Sequence, residues 1–125
     1  MGLMLVGGGE IDRLCEFAIN FLLSGQGDAK RLTATLVMDS PDRSPLEVTF
    51  ILASAAASIE EVLSGPESTA LALDAWRMAA LLGVDLHMMQ LLGRPTLHCH
   101  NLLHYWQTED RFFLGGFPTG QRAAS

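Results

Sequence analysis

The sequence predicts a small α+β domain: an antiparallel sheet of two to four strands, packed against an N-terminal amphipathic helix and a long, mostly buried helix. Three observations carry that expectation. Apolar residues recur at helical spacing between residues 10 and 23. They alternate with a period of two over residues 32–38 and 46–52. A third apolar stretch, bounded by Pro66 and Gly93, is far too long for a strand.

The N-terminal helix follows from Ile11, Leu14, Cys15, Ala18 and Leu22 on one face, with Asp12, Arg13, Glu16 and Asn20 between them; Ser24-Gly25-Gln26-Gly27 ends it. Leu32, Ala34, Leu36 and Met38 then alternate with Thr33, Thr35 and Val37, and Leu46, Val48, Phe50 and Leu52 alternate with Glu47, Thr49 and Ile51. This is the pattern of two half-buried strands, and Asp39–Pro45 has the Asp, Ser and Pro content of the loop between them. Ser54 or Ser58 is placed to cap a short helix reaching Leu63, Ser58 and Glu61 having the capping-box spacing. The long helix is expected over Pro66–Leu92, with Pro66 in its first turn and Gly93 and Pro95 closing it. Glu67, Asp74, Arg77 and Asp85 form its narrow polar stripe, with Trp76, Ala80, Gly83 and His87 opposite. A helix so widely apolar is central to its own domain or shared with a second subunit, and Gly83 permits a close helix approach or a bend. Pro95–His100 reads as a short strand, Asn101 as the cap of a helix to about Gln107, and Arg111–Leu114 as a last strand. The domain is expected over 1–120, with 121–125 as a disordered tail.

Composition narrows the function. Apolar residues make up 49% and charged residues 18% of the 125, a low share of charge for so small a domain. Surplus apolar surface favours self-association, so a homodimer is expected, with part of the long helix or the aromatic C-terminal segment at its interface. The net charge of -6 disfavours nucleic acid and anionic membrane as partners. Met1–Val6 is apolar, but no basic residue precedes it and it is too short to span a bilayer. With two cysteines there is no disulfide framework, and a cytoplasmic location is expected.

Chemistry concentrates in one place. His98, Cys99, His100 and His104 bring three of the four histidines and one of the two cysteines within seven residues. Imidazole and thiolate bind zinc, copper and nickel well, so these residues are the candidate metal ligands, with Cys99 or Glu109 assisting. In an extended segment His98 and His100 share a face and Cys99 takes the other; a turn at Asn101 then folds His104 back toward the pair, and three imidazoles share one ion. In a continuous helix His100 and His104 are neighbours at i, i+4, His98 turns away, and Glu109, Asp110 or His87 completes the set.

The string His98-Cys99-His100-Asn101-Leu102-Leu103-His104 resembles the HCHxxxH copper motif of multicopper oxidases. In that family the cysteine binds the type 1 copper and the neighbouring histidines bind the trinuclear centre. The resemblance covers seven of 125 residues. The family's other HxH motifs are absent, Glu109 stands where it usually carries Met or Leu, and its domains are all-β, so no activity is carried over. Asn101 likewise occupies the place of the general-base glutamate of HExxH proteases.

Other motifs are weaker. Gly7-Gly8-Gly9 lacks the third dinucleotide-loop glycine, Asp12 standing there, and no Walker lysine follows. Cys99 beside imidazoles has the neighbours of an activated nucleophile, but adjacent residues in a strand point apart. Met88-Met89 and the aromatic group Trp106, Phe112, Phe113 and Phe117 fit core or interface packing, or a pocket for a small-molecule or protein ligand. No nucleophile elbow frames a serine. The leading expectation is a non-enzymatic binding or assembly protein; the alternative is a metal-binding protein or metalloenzyme centred on His98, His100 and His104, holding Zn, Cu or Ni.

Overall fold

The computed structural model describes residues 9–109, which form five α-helices and no strand. They are α1 (Gly9–Leu23), α2 (Ala29–Asp39), α3 (Pro45–Val62), α4 (Pro66–Leu91) and α5 (Cys99–Thr108). The expectation of an α+β domain with an antiparallel sheet is therefore wrong. The last expected strand, Arg111–Leu114, the 121–125 tail and the Met1–Val6 stretch lie outside the described residues.

The short strand expected over Pro95–His100 is absent, its last two residues being the first turn of α5, and the strands expected over 32–38 and 46–52 are helices, which capping explains. The Asp28 carboxylate accepts the Arg31 N–H at 2.9 Å and starts α2. The Ser44 hydroxyl accepts the Leu46 N–H at 3.2 Å, and Pro45 occupies the first turn of α3. Ala29, Leu32, Thr33, Leu36 and Val37 then share the buried face of α2. In α3 that face is Val48, Ile51, Leu52, Ala55, Ala56 and Ile59. Met38, Leu46 and Phe50, which a sheet would have buried, are half or more exposed. The β-branched threonines are satisfied inside the helices: Thr33 donates to the Ala29 carbonyl at 2.7 Å, Thr35 to Arg31 and Thr49 to Pro45. α3 runs through Ser54 and Ser58 without a break, so neither is a cap. α5 begins at Cys99 with His98 as its N-cap, upstream of the expected Asn101.

All five helices contribute to one apolar cluster. α3 and α4, joined by the three residues 63–65, form a helical hairpin and the most extensive packing contact. α1 lies against α3, and α2 touches each of the other four helices. α4, 26 residues and about 39 Å long, is the spine. It ends at Gly93, whose φ of 75° lies in the left-handed region that glycine tolerates.

Two of the four residues of the polar stripe expected on α4, Asp74 and Asp85, prove to lie in seams to other helices, while Glu67 and Arg77 are exposed. Asp74 accepts the Ala29 N–H at 3.0 Å, placing a second carboxylate at the start of α2. Asp85 is buried and accepts the Trp106 indole N–H at 2.8 Å. α4 is also not mostly buried. Ala72, Ala75, Met78, Ala79, Leu82, Leu86 and Met89 face the core, while Trp76, Ala80, Gly83 and His87 face outward.

Candidate functional site

The histidine segment lies where the chain turns from α4 into α5, and three consecutive residues bind the α2–α3 loop there. The His98 ring Nδ1 lies 2.9 Å from the Asp42 carbonyl oxygen. The Cys99 N–H donates to the Arg43 carbonyl at 2.7 Å, and the His100 N–H donates to the Pro41 carbonyl at 2.8 Å. A carbonyl only accepts, so His98 Nδ1 carries a proton and its tautomer is set by the backbone. The Asn101 side chain reaches back to the His98 N–H at 3.0 Å and satisfies the N-cap residue itself. Two orphan donors in the first turn of α5 thus find loop carbonyls, and the loop is latched to the helix.

The rings of His98 and His100 stack, with centroids 5.1 Å apart and planes inclined by 28°. Imidazole lone pairs lie in the ring plane, so near-parallel rings aim them side by side rather than at one point. The Asn101 amide also approaches His100 Nδ1, at 3.4 Å. His104 is exposed on α5, four residues beyond His100. Glu109 is drawn away at the far end of α5, where its carboxylate meets Arg94 at 3.1 Å; Arg94 also donates to Thr108 and lies over the Tyr105 ring. His87 is on the outward face of α4. Among the described residues, no three His, Cys, Asp or Glu side chains are grouped so as to hold a metal ion.

Cys99 is completely buried. Burial is the main reason its thiol is pushed up from its ordinary value to about 11; Glu47 adds to the rise and the Arg43 guanidinium opposes it. At neutral pH this is a protonated thiol, short of the thiolate that a nucleophile or a metal ligand needs. Arg43 itself has a side chain only 6% exposed, with Nη1 3.7 Å from Glu10, and its Nε has no hydrogen-bond partner among the described residues.

A second feature is larger. At about 100° per residue, Leu73, Trp76, Ala80, Gly83, Val84, His87, Met88 and Leu91 fall within about 140° of the outer side of α4. All eight are exposed, Leu91 by 66%, and Arg77 is the one formally charged residue on that arc. Trp76 is held in place, its indole N–H donating to Glu60 of α3 at 3.2 Å. An open depression of about 580 Å³ borders the N-terminal half of this face, lined by Glu67, Ala70, Leu71, Leu73, Asp74 and Arg77, half of them charged. α4 therefore has two apolar faces, one inward and one outward.

Sequence reasoning singled out His98, Cys99 and His100 but missed what they hold. Their partners are backbone carbonyls of Pro41, Asp42 and Arg43, and a carbonyl leaves no mark in residue type. The chain matches no protein-family model, no curated protein and no solved structure. Among the described residues, no helix is long and apolar enough to cross a membrane.

Proposed function

We propose that this protein is a non-enzymatic assembly module that works by self-association, as a homodimer, through the outward face of α4. The observation that carries the reading is that face: eight exposed positions from Leu73 to Leu91 without a formal charge, on a helical strip whose single charged residue is Arg77. Monomeric domains rarely leave so long an apolar strip in water, because its hydration costs free energy that a partner surface removes. Trp76, whose indole N–H donates to Glu60, adds an aromatic side chain of the kind that often dominates association energies. The buried, protonated Cys99 fits a structural rather than a reactive role. Both cysteines are free thiols, in keeping with a reducing cytoplasm.

Sedimentation velocity over a range of concentrations tests the reading. A reversible dimer in the micromolar range is expected, and Trp76→Glu together with Val84→Glu turns it into a monomer with an unchanged helical spectrum. A wild-type chain that is monomeric throughout, or a dimer indifferent to both substitutions, overturns it.

A further inference from the structure

Resting on the reading of the outer α4 face as the contact surface, we infer that the second copy packs its own α4 antiparallel to the first, about a two-fold axis passing between Ala80 and Gly83.

The face is built symmetrically in size. Along the line from Trp76 to His87 its middle is small, Ala80 and Gly83, with Val84 to one side, and its ends are bulky: Leu73 and Trp76 on one side, Met88 and Leu91 on the other. A two-fold axis at the small centre sets Ala80 of each copy against Gly83 of the other, which is where two helix backbones approach most closely. The same operation places Trp76 opposite His87 and brings Leu73 level with Gln90, one residue from Leu91. A parallel pairing sets the Arg77 side chains of the two copies at one level, like charge beside like charge, whereas the antiparallel arrangement separates them by about 14 Å along the axis.

Gly83 supplies a separate argument. A glycine inside a helix is less favourable than alanine by about 1 kcal/mol. Here its φ is not positive, and a Cβ built on it meets nothing within 4 Å, so neither backbone conformation nor packing within the chain requires glycine. A close approach from outside is what a missing side chain would serve.

Leu73, Trp76, Val84, Met88 and Leu91 from two copies bring on the order of 1,000 Å² of exposed apolar side chain, the size of a weak, reversible contact just under the lower bound of about 1,200 Å² for stable specific interfaces. A strip with so little charge suits a copy of itself better than a charged partner.

Crosslinking decides the geometry. Leu73→Cys and Leu91→Cys chains are mixed, treated with a short thiol–thiol crosslinker and mapped by mass spectrometry, with sedimentation run alongside. The antiparallel pair gives 73–91 crosslinks between chains and few 73–73 ones, because the two copies of residue 73 then lie about 25 Å apart along the axis. Abundant 73–73 and 91–91 crosslinks would overturn the antiparallel arrangement while leaving self-association through this face intact. A sedimenting dimer with no α4 crosslink would overturn the face as well. A monomer would overturn both readings, and an α4 face that becomes reactive to solvent labels on removal of residues 110–125 would then assign it to the chain's own C-terminal segment.

Discussion

The indole N–H of Trp106 donates to the Asp85 carboxylate over 2.8 Å, and both residues are buried where α5 meets α4. α5 has only 10 residues, too few to be stable alone, so it holds its shape through such contacts. Removing the donor leaves a buried carboxylate short of one hydrogen bond, which costs about 2 kcal/mol. Urea denaturation of Trp106→Phe, Asp85→Ala and the double variant is expected to give a coupling of about 1.5 kcal/mol. A coupling near zero would mean that this bond adds nothing to the packing of α5 on α4.

His98 has a different part at the other end of the same helix. Its Nδ1–H ties the Asp42 carbonyl, and the amide of an asparagine at this position reaches about the same point. His98→Ala is expected to lose about 1 kcal/mol, while His98→Asn retains most of the stability and His98→Gln does not. A zinc site through Nε2 makes the opposite demand, since asparagine supplies no ligand there. Thermal melts of the three variants with and without zinc separate the two roles: a zinc-dependent rise in Tm that His98→Asn abolishes would identify a ligand.

Cys99 gives a pH dependence whose sign follows from its burial. Unfolded, the thiol ionises near its ordinary value of 9.0; folded, it holds its proton to about 11. The unfolded chain therefore binds fewer protons between those values, and the stability is fully present below pH 9 and lost as pH rises toward 11. Cys99→Ala is expected to flatten that decline in urea melts taken from pH 8 to pH 11. In the native protein at pH 8, a disulfide reagent should modify Cys99 only as fast as the chain unfolds. Rapid modification of Cys99 would mean that the thiol is accessible and the burial argument fails.

What could be read in advance divides along physical lines. α1 and α4 were legible because helical periodicity, stop signals and a first-turn proline agree there. α2 and α3 were not, because Leu32 and Leu36 satisfy a period of two and a period of 3.6 equally well, and the alternating residues between them drew attention from Asp28 and Ser44-Pro45. The caps are short local signals, yet they decide the outcome: once α2 starts at Asp28, Leu32, Thr33, Leu36 and Val37 face one way. For the histidine segment, residue type revealed where polar groups gather but not that backbone carbonyls receive them. For α4, the lack of charge on the strip containing Trp76, Ala80, Gly83 and His87 was plain. The packing of α2, α3 and α5 determines that this strip faces outward.

Gly83 allows the monomer and the dimer to be pulled apart in one substitution. In the monomer, Gly83→Ala adds a methyl group into open space and removes the entropic cost of a mid-helix glycine, so stability is expected to rise by about 1 kcal/mol. In the antiparallel dimer the same methyl lies at the closest approach of two helices, forces them apart, and weakens association by tenfold or more, about 1.4 kcal/mol. The two effects have opposite signs, which a general loss of packing does not produce. Chemical denaturation in the Trp76→Glu, Val84→Glu background, where dimers do not form, reads the first effect alone; sedimentation equilibrium of Gly83→Ala in the wild-type background reads the second. A more stable chain that still dimerises with unchanged Kd would show that nothing approaches Gly83, and the two-fold axis would have to lie elsewhere on α4.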